Sequence, residues 1–199
     1  MKEIIIEFGA EKFFKEGFHK VTMEEISAEL RMSKKTIYKH FQSKDELVHE
    51  IMKYFMSHMK SMILPVLNSD KNAVEKLEGL MGVLVTASQK VSSKMIEDIR
   101  RHFPARWSEI DKFRTEMMFG NLTRVIDQGK REGLFLNYPT EIVMTAFVAA
   151  MRSVVNPEFI LDNNFSIKEA AVTAFRIVIG GIVTDKGKKL LAKKEKDLK

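Results

Sequence analysis

A chain of 199 residues without a single cysteine excludes disulfides, thiolate-built zinc sites and thiol nucleophiles from the outset. With 45% hydrophobic and 30% charged residues it has the balance of a soluble globular protein, and its four prolines and ten glycines leave no room for low-complexity linkers. The net charge of +6 is unevenly spread: residues 186–199 hold seven lysines against two acids, whereas residues 1–50 are net −1, so overall basicity is poor evidence for a nucleic-acid partner.

Helical periodicity recurs along the whole chain, and no stretch alternates as a strand would. Ile6, Ala10, Phe13 and Phe14 give a first helix one apolar face, closed near Gly17. Thr22 with Glu25 forms a capping box that opens a second helix, whose Ile26 and Leu30 point inward. Ser33 caps a third, very short helix anchored by Ile37. Ser43 and Glu46 form another capping box and open a long helix through Leu47, Ile51, Phe55 and Met59, which Pro65 is expected to stop. Helices are then expected over Val74–Val91, Lys94–Phe103, Trp107–Arg131 and Ile142–Val155, with Pro139 at the start of the last. Pro157 and the pair Asn163, Asn164 read as a break. Ser166 and Glu169 open a further helix through Ala170 to Ile182, and the lysine-rich tail reads as frayed and solvated. Acids among the first eight residues argue against a signal peptide, and the apolar stretch Ile142–Met151 is too short to span a bilayer. The expectation is a cytoplasmic protein with no membrane partner.

Two helices joined by a three- to four-residue turn make a helix-turn-helix, whose second helix lies in the major groove of duplex DNA. Here Met23–Leu30, the turn Arg31, Met32 and Ser33, and Lys34–His40 fit that pattern. Between Ser33 and Lys44 lie Lys34, Lys35, Lys39 and Lys44 and no acid, a cationic patch inside an otherwise acidic segment. Burying Ile37 and Phe41 leaves Lys34, Lys35, Thr36, Lys39 and His40 free. Lysines and the Tyr38 hydroxyl suit phosphates, and Thr36 and the lysines also reach base edges.

The run Val21–Leu47, and above all Thr36–Phe41 followed by Ser43–Leu47, resembles the DNA-binding signature of the TetR family of transcriptional regulators. The resemblance covers about the first 50 residues. It implies an all-α fold in which a helix-turn-helix domain over residues 1–45 joins a larger helical domain over 46–199 for effector binding and dimerisation. It also implies that Thr22, Tyr38, His40 and Lys44 meet the DNA backbone. Ser33, Lys34, Lys35, Thr36 and Lys39 then form the recognition helix. Two positions depart from the family pattern. Arg31 stands where glycine is common, and a left-handed backbone there costs a non-glycine residue about 1–2 kcal/mol. Lys35 replaces a residue that is frequently small.

In the second half, Met59, Met62 and Met117 on long helices, with Phe103 and Trp107 flanking a helix break at Pro104, suit an adaptable apolar pocket for an unknown small-molecule effector. Ordinary core packing explains the same residues. The small-residue helices at about 140–155 and 167–183 suit a homodimer interface, or burial within one subunit. The five histidines lack metal-ligand spacing, and no phosphate loop or nucleophile elbow is present, so neither a metal, a cofactor nor an enzymatic activity is expected. The expected function is a DNA-binding regulator, a repressor released from a palindromic operator by its effector. A ligand-independent regulator or activator is the alternative, as is an all-helical enzyme or partner-binding module.

Overall fold

The computed structural model describes the backbone of residues 1–197 and the side chains of residues 1–191, those at positions 93, 96, 99, 100, 118, 157 and 161 excepted. Its elements are α1 (Lys2–Glu16), α2 (Met23–Glu29), α3 (Lys34–His40), α4 (Lys44–Leu67), α5 (Ala73–Ser88), α6 (Ser93–His102), α7 (Pro104–Arg131), α8 (Thr140–Val154), α9 (Pro157–Asn163), α10 (Ile167–Gly180) and α11 (Asp185–Asp197). Among the described residues the one piece of sheet-like pairing is an isolated antiparallel bridge between Phe135 and Val183. The fold is all-α. The described chain clusters into two compact units, Met1–Lys60 with Ala87–Phe113, and Ser61–Thr86 with Arg114–Lys199, so α4, α5 and α7 each contribute residues to both.

In the first unit, α1 places Ile5, Ile6, Gly9, Ala10 and Phe13 on one face, the three- and four-residue spacing that a helix needs to bury a stripe. Gly9 is small because the Ile51 side chain occupies the space where a Cβ would sit, 2.9 Å away. Phe13, Phe18, Ile26, Ile37, Phe41, Leu47, Ile51 and Met52 are almost wholly removed from water, each contributing about 1.5–3 kcal/mol of burial. Residues far along the chain complete this core. Met95 is buried in it, and Val91, Phe103, Trp107 and Ile110 pack against it. Phe103 meets Phe18 edge-on at 6.1 Å.

In the second unit, α8 and α10 pack on one another, with Phe147 edge-on to Phe175 at 5.7 Å. The Phe135 ring lies where any side chain at position 129 would go, which requires Gly129. On α5, the buried Lys76 donates to Gln128 Oε1 on α7 at 2.8 Å, and Glu132 accepts from the Ala73 amide at 2.9 Å.

Three elements differ from the sequence expectation. Pro65 does not end α4 but sits in its last turn, and the Asn68 amide still bonds the Leu64 carbonyl at 2.9 Å. A proline near a helix end removes one hydrogen bond without breaking the helix. Pro157 is the first residue of a short helix rather than part of a break, the position where its missing N–H costs nothing. Asn164, at φ 60°, closes that helix with the left-handed residue asparagine tolerates. The tail is helical to Asp197, and the last two residues, Leu198 and Lys199, lie outside the described residues.

Candidate nucleic-acid interface

The first helix of the motif is fixed at its start by a reciprocal capping box. Thr22 Oγ1 accepts from the Glu25 amide at 3.1 Å, and the Thr22 amide donates to Glu25 Oε2 at 2.7 Å. These bonds hold the Glu25 carboxyl below its usual range, the backbone N–H of Thr22 contributing most and its hydroxyl next. Further along, the small Ser27 is buried and returns its hydroxyl to the Glu24 carbonyl at 2.8 Å, so no polar group is stranded in the α2–α3 contact.

The turn is closed by two crossed bonds. Met32 N–H donates to the Ser27 carbonyl at 2.8 Å, and Arg31 N–H to the Ala28 carbonyl at 3.0 Å. This is the Schellman pattern, which puts the residue just past the helix cap in the left-handed region. That residue is Arg31, at φ 52°. Ser33 then caps α3 by accepting from the Thr36 amide at 3.1 Å, and the Ser33 and Thr36 hydroxyls bond each other at 2.8 Å.

On α3, Ile37 is buried, Thr36 and His40 are half-buried, and Lys34, Lys35, Tyr38 and Lys39 are exposed. Tyr38 is 42% exposed, with its hydroxyl free to meet a partner in solvent. Lys34 pairs with Glu24 of α2 at 3.2 Å.

Lys44, the first residue of α4, is half-buried beneath the α1–α2 turn. Its Nζ donates to the His19 carbonyl at 3.2 Å and lies 6.0 Å from the centroid of the Phe13 ring. Burial pushes its pKa down, opposed by the charges of Asp98 and then Glu25. Asp98 on α6 is itself buried and accepts from the His19 amide at 3.0 Å. A Cβ at Gly17 would collide with its carboxylate, so the carboxylate needs this glycine, whose φ is 88°. Beside Lys44, Asp45 receives the Arg106 guanidinium of α7 at 3.0 Å, and the same guanidinium reaches Glu109 at 2.7 Å. The first turn of α4 is thus tied through Lys44 to His19, whose amide Asp98 of α6 holds, and through Asp45 to Arg106 of α7.

Neither Asp98 nor Arg106 was singled out from sequence. Asp98 gave one signal: it follows the buried Met95 by three residues, an acid on the apolar stripe of α6.

The residues proposed for an effector pocket fall in both units. Phe103 and Trp107 pack on the core of the first unit; Met59, in the same unit, is buried as well. Met62 and Met117 are half-buried in the second unit, and the Met117 carbonyl accepts from Asn121 Nδ2 at 3.0 Å. A hollow of about 460 Å³ lies elsewhere, lined by residues of α8, α9, α10 and the α9–α10 link that include Ala150, Val154, Phe159, Phe165, Ala174 and Ile177. Among the described residues no cluster of three or more histidines and carboxylates is arranged to hold a metal ion. No described helix is long and apolar enough to cross a membrane.

Residues 5–51 match the profile of the bacterial regulatory proteins of the tetR family. Over 165 residues the chain is 22% identical to the uncharacterized HTH-type transcriptional regulator YvaF of Bacillus subtilis, covering 82% of this chain and 86% of that protein. Over 135 residues it is 25% identical to the HTH-type transcriptional repressor KstR2 of Mycobacterium tuberculosis, covering 66% of this chain and 67% of that one. The solved complex of SmeT with triclosan superposes with a TM-score of 0.67 at 15% identity, covering 92% of each chain; SmeT is the repressor of the Stenotrophomonas maltophilia multidrug efflux pump SmeDEF. The profile falls on the capped α2, the Schellman-closed turn and the lysine-bearing α3, so residues 5–51 form a helix-turn-helix segment similar to that of the bacterial regulatory proteins of the tetR family.

Proposed function

We propose that the protein is a homodimeric, cytoplasmic repressor that holds a palindromic operator and releases it when a small apolar effector binds. The observation that carries the DNA-reading part is the α2–α3 pair, a rigidly closed turn that presents three exposed lysines and an exposed tyrosine with Ile37 locked inward. Thr22, Tyr38, His40 and Lys44 meet the backbone, while Ser33, Lys34, Lys35, Thr36 and Lys39 belong to the groove-facing helix. The protein works by binding, not by catalysis.

For dimerisation the support is the outer face of α8 and α10. Ile142 on α8 is 65% exposed, and Ile177 and Phe165, which line the apolar hollow described above, are 69% and 47% exposed. A monomer gains nothing by leaving such side chains in water, and a second copy of the same helix pair would cover them. Two recognition helices would then enter successive major grooves about 34–36 Å apart. Residues 1–45 do the reading and 46–199 the sensing and dimerisation, with Met62 and Met117 our choice of effector contacts. An effector that prefers the non-binding conformation by about 1–3 kcal/mol weakens DNA affinity roughly 5- to 150-fold.

Gel shifts against the duplex upstream of the chain's own gene, over a salt series, test the reading. A specific complex that weakens steeply with salt supports it. Absence of any salt-sensitive duplex binding would leave a helical partner-binding module as the remaining account. Sedimentation of Ile177→Glu against the unaltered chain tests the dimer: the variant should sediment as a monomer.

A further inference from the structure

The DNA-reading role leaves open which of the lysines choose the sequence and which bases they choose. With the buried direction midway between Ile37 and Phe41, a helical turn of about 100° per residue places Lys39 at about 180° from the core, Lys35 at about 140° and Thr36 at about 120° on the other side. By the same construction Tyr38 and His40 lie at about 80° and Lys34 at only about 40°. Lys35 and Lys39 therefore crown α3, four residues apart on one face. Lys34 is turned toward α2, where Glu24 pairs with it at 3.2 Å. Lys35 and Lys39, by contrast, have no ion-pair partner among the described residues.

Chemistry then restricts the bases. A lysine ammonium offers donors and no acceptor. Of the four base pairs as seen in the major groove, guanine alone presents two adjacent acceptors, N7 and O6. Adenine shows an acceptor beside a donor, and cytosine shows a donor. Reading those needs an amide or a carboxylate, and α3 (Lys34–His40) carries neither. Thr36 discriminates less, because its single hydroxyl, already bonded to Ser33 at 2.8 Å, can meet either an acceptor or a donor on a base.

We propose that Lys35 and Lys39 are the residues that determine operator sequence, each contacting a guanine in the same half-site. This rests on the DNA-binding reading above and sharpens it. Side chains at this spacing lie about 6 Å apart, so the two guanines fall within roughly two base steps of about 3.4 Å. Glu24 also sets an acid beside the groove-facing helix, a charge that any duplex must approach whatever its sequence.

The test is selection of a fully randomised duplex pool by the purified full-length chain, followed by sequencing of the bound fraction. The expected half-site carries guanine at two positions within about two base steps. Lys35→Ala abolishes the preference at one and Lys39→Ala at the other, each by about tenfold. Lys34→Ala weakens binding to all duplexes alike without shifting the selected bases. Glu24→Gln raises affinity for all duplexes alike and steepens the salt dependence by about one released ion. Thermal melts matching the unaltered chain show that these exposed variants remain folded. A half-site without guanine at either position, or a base preference erased by Lys34→Ala, overturns the assignment while leaving the regulator reading intact. A chain that enriches no duplex at all removes both.

Discussion

Arg31 sits where the turn demands a left-handed backbone, and replacing it measures what that demand costs. At φ 52° an L-residue with a side chain stands about 1–2 kcal/mol above glycine. Glycine returns part of that gain, because it frees the unfolded chain by about 0.4–1 kcal/mol. The net for Arg31→Gly is a stabilisation of about 0.5–1 kcal/mol, or roughly 1–4 °C for a chain of this length. Arg31 is exposed, so little packing is lost with its side chain. Arg31→Ala separates the backbone from the charge: it keeps the strain and should stay within about 0.5 kcal/mol of the parent. Arg31→Asn should fall between the two, since asparagine closes α9 in the same conformation at Asn164. Urea titrations followed by circular dichroism, at one protomer concentration because a dimer's stability depends on it, give the order. If Arg31→Gly unfolds before Arg31→Ala at unchanged m, the backbone strain is not the controlling term and the reasoning fails.

Gly17→Ala combines a left-handed position with a collision against the Asp98 carboxylate, so it should lower stability by about 2 kcal/mol or more in the same titration. Asp98→Ala removes the acceptor of the His19 amide and should cost about 1–3 kcal/mol. Gly129→Ala drives a methyl into the Phe135 ring and should destabilise by about 1–3 kcal/mol, visible as a lower melting temperature. The Glu25 carboxyl titrates below its ordinary 4.5 in the folded chain, so its stabilisation is complete above that value and is lost as pH falls through the lower, folded value. Glu25→Gln should flatten the stability profile below about pH 4.5 and leave the slope at neutral pH unchanged.

The parts of the motif legible in sequence are those whose partners lie within a few residues. Thr22 with Glu25, Ser33 with Thr36 and Ser166 with Glu169 are short-range bonds that a spacing rule captures. The left-handed turn at Arg31 is of the same kind. The long-range contacts were not legible. Asp98 meets His19 across 79 residues of chain, and no local pattern announces such a meeting. Phe103 and Trp107 looked like a pocket wall because aromatics beside a proline break suit one, yet they pack on the core that α1 to α4 begin. The apolar hollow uses Phe159 and Phe165, whose rings stack at 6.1 Å, and that pairing needed α9, which the sequence reading took for a break.

The recognition helix has seven residues, and helices shorter than about 12–15 residues are marginal in water. Its shape is therefore lent to it by Ile37 and Phe41, two side chains wholly buried in the core. Form and lettering are in this way assigned to different positions of one short segment. The outward positions can be exchanged among polar residues with little consequence for folding, so descendants of this chain could acquire new operators by single substitutions without first acquiring a new scaffold. The converse also holds: a peptide of α3 alone, with its letters intact and its anchors unpacked, would read nothing.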